Sequence, residues 1–189
     1  MTRLVLASGS PRRAEMMARI TKDFIIVTPD IDEEMIGDET PAVMVRRLAM
    51  EKAYAVTDKT KGLYPVLAAD TIVVHDRILG KPGSEEEACN MLRELADDSH
   101  FVLTGVAILN PVNGMTLAFT EETEVFFGPI SKEEITAYVK GGEPMDKAGA
   151  YGIQGEAGRF ITKINGCFYN VMGFPLNRIY NGLKELDII

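Results

Sequence analysis

Apolar residues along this chain keep three different rhythms, and each predicts an element. Short continuous runs at residues 3–7 and 24–27 read as buried strands on either side of a helix from Pro11 to about Ile20, a β-α-β opening. A second helix is expected from Pro41, behind the cap Thr40, to about Val56. The β-branched stretch Val66 to His75 follows as a strand, and a short strand precedes Gly80. Ser84 with Glu87, and Ser131 with Glu134, have capping-box spacing and open helices over 85–96 and 132–140. His100 to Leu109 and Met115 to Phe127 alternate apolar and polar positions around Asn110-Pro111-Val112-Asn113-Gly114, which predicts an antiparallel hairpin and therefore a mixed sheet. Another strand is expected over Arg159 to Ile164. The last helix is expected over Pro175 to Leu186, with Leu176, Ile179, Tyr180 and Leu183 on one apolar face. Gly141 to Gly158 is the one extended irregular stretch, and loops of that length often carry function.

Composition narrows the class. With 189 residues the chain can bury roughly 70% of its unfolded surface, and no repeat or linker separates independent domains, so a single domain over 1–189 is expected. No apolar run reaches the roughly 18 residues of a membrane span, and the N-terminus lacks a secretory pattern, which points to the cytoplasm. Cys89 and Cys167 are far apart and read as small buried hydrophobes in a reducing compartment. A formal net charge of −8 argues against a protein that coats a nucleic-acid polymer, yet a few cations focused in a cleft could hold a phosphorylated small molecule.

Several residues sit where the pattern does not call for them. Arg12 and Arg13 follow Ser8-Gly9-Ser10-Pro11 and fall in the first turn of a helix, where the backbone dipole favours anions. A phosphate held by the guanidinium forks and the free N–H groups explains that placement; solvation or pairing with Glu15 is the plainer alternative. Asp70 interrupts an apolar central strand, where a carboxylate is costly unless paired or bound to a metal. Lys52 stands on the apolar stripe of Val45, Leu48, Ala49 and Val56, either reaching inward or snorkelling to water. The acidic loop Asp30-Ile31-Asp32-Glu33-Glu34 offers Glu33 as a partner for Asp70 around a hard divalent cation, although nothing local selects among its four carboxylates. Gly80-Lys81-Pro82 is a weak phosphate signal. Lys147 to Gly155 packs three glycines around Gln154, which suits close approach to a flat ligand or simply a tight turn. There is no Walker A, dinucleotide GxGxxG or HExxH motif.

Taken in order, Ser8 to Arg13, the Glu33 loop, Arg46 to Lys52, Ala69-Asp70-Thr71, Gly80-Lys81-Pro82, Thr104-Gly105 and Lys147 to Gly155 closely resemble the Maf family of nucleoside triphosphate pyrophosphatases across nearly the whole chain. The resemblance implies an α/β fold like that of inosine triphosphate pyrophosphatases, with a mixed sheet flanked by helices and two lobes around a central cleft. It also implies cleavage of a nucleotide to monophosphate and pyrophosphate. Arg12, Thr71 and Gln154 match the base-selecting residues of the dTTP/UTP-cleaving branch. In the mechanism it implies, Asp70 is general base and metal ligand, and Glu33 helps hold Mg²⁺ or Mn²⁺. Arg13, Lys52 and Lys81 cradle the triphosphate, with donors added by Ser8 and Ser10. Expected partners are the nucleotide, no nucleic-acid polymer and no membrane; a homodimer is compatible. The competing reading is a nucleotide-binding regulator of septum formation without significant turnover.

Overall fold

The computed structural model describes residues 3–189. Strands β1 (Leu4–Ala7), β2 (Phe24–Ile26), β3 (Val66–Val74), β4 (Ile78–Leu79), β5 (Ser99–Asn110), β6 (Met115–Phe127) and β7 (Ile161–Asn165) form one sheet in the order β2-β1-β3-β5-β6-β7, with β4 on β3. β1 is parallel to both β2 and β3, whereas β3–β4 and β6–β7 are antiparallel, so the sheet is mixed as expected. The helices are α1 (Pro11–Met17), α2 (Pro41–Lys59), α3 (Glu85–Leu95), α4 (Lys132–Lys140), α5 (Phe168–Val171) and α6 (Leu176–Glu185).

Differences from the expected elements have local causes. Helix α1 stops three residues early because the N–H groups of Arg19 and Ile20 turn to the carbonyls of Met16 and Met17, tightening the last turn. Ser131 and Glu134 form the full reciprocal box. At α3 Ser84 caps Glu87 N–H, but the Glu87 carboxylate takes the Gly83 N–H instead, so that box is not closed. Strand β7 begins at Ile161 because residues 156–160 coil into a 3₁₀ turn. The irregular stretch after α4 holds two further 3₁₀ turns, Glu143–Asp146 and Ala148–Ala150. Tyr180 leaves the apolar face of α6, being 42% exposed, and Lys184 lies over its ring. The thiols of Cys89 and Cys167 are free and half-buried.

The chain divides into two compact units. The first comprises residues 1–70, 104–121 and 173–189, and the second residues 71–103 and 122–172. In the first, α2 lays Ala49, Ala53 and Val56 on Val5, Ala7, Val66, Ala68, Ala107 and Leu109. The approach is close: a Cβ on Gly105 would lie 2.0 Å from the Val45 carbonyl oxygen, so only glycine lets the helix backbone seat on β5. That seat turns Lys52 toward the sheet. In the second unit α3 and α4 bury Met91, Leu92, Leu95, Ile135 and Tyr138 with Val102, Val125 and Phe127.

Candidate active site

Most of the expected site residues lie in the first unit. Lys52 and Asp70 are each only 7% exposed. Lys52 Nζ donates to Asp70 Oδ1 at 2.5 Å and pairs with Glu33 Oε1 at 2.7 Å. The inward reading of Lys52 is therefore the one the fold adopts, and Glu33 is the carboxylate of the acidic loop that joins it. The cation on which the two carboxylates converge is the Lys52 ammonium, and the carboxylates themselves are hard oxygen donors of the kind that suit Mg²⁺, an ion that needs few protein ligands because phosphate and water complete its shell. The donor set fits such an ion. Among the described residues no group of three or more His, Cys, Asp or Glu side chains converges to form a larger cage.

Arg13 is placed by its backbone and its tip together. Ser10 caps α1 by accepting from Arg13 N–H, Pro11 starts the helix, and Ser8 Oγ accepts from Ser10 N–H. Arg13 Nε donates to the Gly173 carbonyl at 2.9 Å and Nη1 to the Ala69 carbonyl at 2.8 Å. The oxygens that answer this misplaced cation thus include two backbone carbonyls, one of them immediately before Asp70. Burial of the guanidinium lowers the Arg13 pKa, the Asp70 charge raises it, and Arg12 lowers it again. The group stays charged, since guanidinium does not deprotonate in proteins. Glu15 pairs with Arg19 at 2.8 Å. Arg12 is half-buried in the first turn of α1, and Ser8 is buried at the end of β1.

Lys81, Thr71 and Gln154 belong to the second unit. Thr71 follows Asp70 on β3 and is half-buried; Lys81 and Gln154 are exposed. A hydrogen bond from Gly149 N–H to the Gly80 carbonyl, 3.0 Å, ties the Lys81 turn to the glycine loop. Gly149 has φ +68°, and a Cβ there would press at 3.0 Å on Val73, so its glycine is required twice over. The loop is also anchored by Tyr151, whose hydroxyl meets His100 Nε2 at 2.7 Å in a buried edge-to-face cluster with Phe127. Nothing in the spacing of His100 along the sequence marks a partner 51 positions away.

The Maf-like protein family profile matches residues 3–186. The chain belongs to the Maf-like protein family. Among curated Maf-like relatives, a dTTP/UTP pyrophosphatase of Geobacillus sp. is 50% identical over 98% of this chain and 99% of its own length. One of Symbiobacterium thermophilum is 49% identical over 98% and 94%. One of Bacillus cereus is 44% identical over 100% and 97%. Among solved structures, the Ham1 protein of Staphylococcus aureus covers 97% of this chain and 98% of its own at 16% identity with a TM-score of 0.55. That likeness gives the Maf-like chain its fold relationship and nothing about its substrate.

Proposed function

We propose that the protein is a nucleoside triphosphate pyrophosphatase that hydrolyses dTTP and UTP to the monophosphate and pyrophosphate. The observation that carries this reading is the buried Lys52–Asp70 pair, met from the surface by Glu33 and lying beside the Arg13 anchor, in a chain half identical to relatives named for that activity. In this reading water attacks the α-phosphorus in line as the bond to the bridging oxygen breaks. Its proton passes to Asp70, and the electron pair leaves with pyrophosphate. Lys52 engages Oδ1 of Asp70, so the proton is assigned to Oδ2. Arg13, Lys52 and Lys81, with the Ser8 and Ser10 hydroxyls, supply donors to phosphate oxygens as charge develops. A divalent cation, held by Glu33 and Asp70, would neutralise phosphate charge and acidify the attacking water. Arg12, Thr71 and Gln154 are assigned to base selection, because they carry the residue types expected of a dTTP/UTP-cleaving chain.

The test is a nucleotide panel with Mg²⁺ or Mn²⁺, reading both products. Monophosphate and pyrophosphate in equal amounts support α-phosphorus attack; stepwise orthophosphate release overturns it.

A further inference from the structure

Gln154 sits on an exposed turn that closes against the Glu143 carboxylate. On one side that carboxylate accepts from the Tyr138 hydroxyl, at Oε1 and 3.0 Å, and on the other it meets the turn just past Gln154. Two residues after Gln154, Glu156 N–H donates to Glu143 Oε2 at 3.0 Å. The loop wraps this carboxylate without slack. A Cβ on Gly155 would lie 2.0 Å from Glu143 Oε1, and one on Gly152 would lie 2.8 Å from Lys147 Cε. Lys147 Nζ donates to the Glu143 backbone carbonyl and, at 2.6 Å, to Asp146. Tyr138 is itself fixed, 1% exposed and edge-on to Phe160. Burial and the neighbouring Glu143 push its pKa up, so the hydroxyl remains a donor.

We propose that Glu143 is a positioning residue for base selection, fixing the turn that presents Gln154 by accepting from Glu156 N–H and packing against Gly155 while the Tyr138 hydroxyl holds its other oxygen. The proposal rests on the reading of Gln154 as the group that meets the base. Neither α4 nor the 3₁₀ turn needs Glu143 at this place for its own sake, because the carboxylate serves partners 13 positions down the chain and the Tyr138 hydroxyl. A carboxylate with two acceptor oxygens joins the Tyr138 hydroxyl to the Glu156 N–H where an apolar side chain could not.

The experiment compares kcat/KM for dTTP and dATP in Glu143→Ala, Glu143→Gln, Gln154→Ala and the Glu143→Ala/Gln154→Ala double variant. Small misplacement of a recognition group is costly, so Glu143→Ala should lower the dTTP:dATP ratio about tenfold while dATP turnover stays within about twofold. Glu143→Gln should keep the ratio, since its Oε1 can accept from Glu156 N–H and its Nε2 can donate to the Tyr138 hydroxyl. The double variant should be no less selective than Gln154→Ala alone, because both changes remove one interaction. The proposal is overturned if Gln154→Ala loses selectivity but Glu143→Ala keeps it, or if Glu143→Ala slows both nucleotides equally. A Gln154→Ala variant that keeps full selectivity instead removes the base-contact reading itself. Should Glu143→Ala fail to fold, Tyr138→Phe decides: it releases Glu143 Oε1 while leaving the Glu156 bond in place, and an unchanged ratio there overturns the proposal.

Discussion

Lys52 Nζ lies between Asp70 Oδ1 at 2.5 Å and Glu33 Oε1 at 2.7 Å, so a single ammonium from α2 joins a strand carboxylate to a loop carboxylate. Removing it leaves the Asp70 charge buried without its closest partner. Lys52→Met should therefore cost about 3–5 kcal/mol in urea unfolding, the range for breaking a buried ion pair from one side. Adding Asp70→Asn should recover much of that loss, because the orphaned charge is gone. Additive losses in the double variant would show that the two groups do not act as a pair.

Asp70→Asn alone should keep the fold and lower turnover by at least about 10²-fold, the low end for loss of a general base. Steady-state rates at saturating Mg²⁺, with circular dichroism as the control, check this. Near-full activity would make Asp70 structural and move the base role to Glu33.

Gln154→Glu replaces an amide that can donate and accept with a carboxylate that only accepts. Against a pyrimidine edge of carbonyls flanking an N–H, the mismatch should cost about 1–3 kcal/mol, roughly 5- to 150-fold in kcat/KM, for dTTP and UTP alone. Lys81→Ala should slow all triphosphates alike, so a Gln154→Glu variant with the same uniform loss would assign that residue to the loop and not to the base.

His100 is 1% exposed, its Nδ1 has no hydrogen-bond partner, and burial with the nearby His75 pulls its pKa down to about 4 against a partial counter-pull from Asp98. The unfolded chain, with an ordinary imidazole, binds the proton first. Stability is therefore full above about pH 6.5 and falls as pH drops toward 4, by about 2 kcal/mol between pH 7 and 4.5 from this group. His100→Gln should flatten that part of the urea-unfolding profile; an unchanged slope would assign the acid sensitivity elsewhere.

Gly105→Ala should destabilise the first unit by at least about 1–3 kcal/mol, since the added methyl lands 2.0 Å from the Val45 carbonyl oxygen and α2 must move. Thermal unfolding reads it directly, and an unshifted midpoint would mean that α2 accommodates the methyl.

The parts of this site written in local pattern were legible before the fold was. Lys52 departs from an apolar helical stripe and Asp70 from an apolar strand, and both departures correspond to the buried pair. Which acidic residue would join them was not legible locally, because Asp30, Asp32, Glu33 and Glu34 differ only in where a loop turns. The family resemblance, not spacing, singled out Glu33. Arg13 showed the limit most clearly: its position asked for oxygen partners, but the Gly173 carbonyl lies 160 residues away and carries no side-chain signature. Helix α5 has four residues, too few to show a period in the sequence. Glu143 lay inside a stretch legible only as glycine-rich, its meaning hidden until Tyr138 and Glu156 came to its two oxygens.

The bond from Arg13 to Gly173 also sets an order of events during synthesis. The first unit is gathered from residues 1–70, 104–121 and 173–189, so a chain still emerging from the ribosome at residue 172 already contains Glu33, Lys52 and Asp70 yet cannot fasten Arg13 at both of its carbonyls. Contacts of such long sequence separation form late and slowly. Arg13 is thus fastened at both carbonyls only when the closing segment arrives, and lesions in residues 173–189 should register as unstable nascent chains.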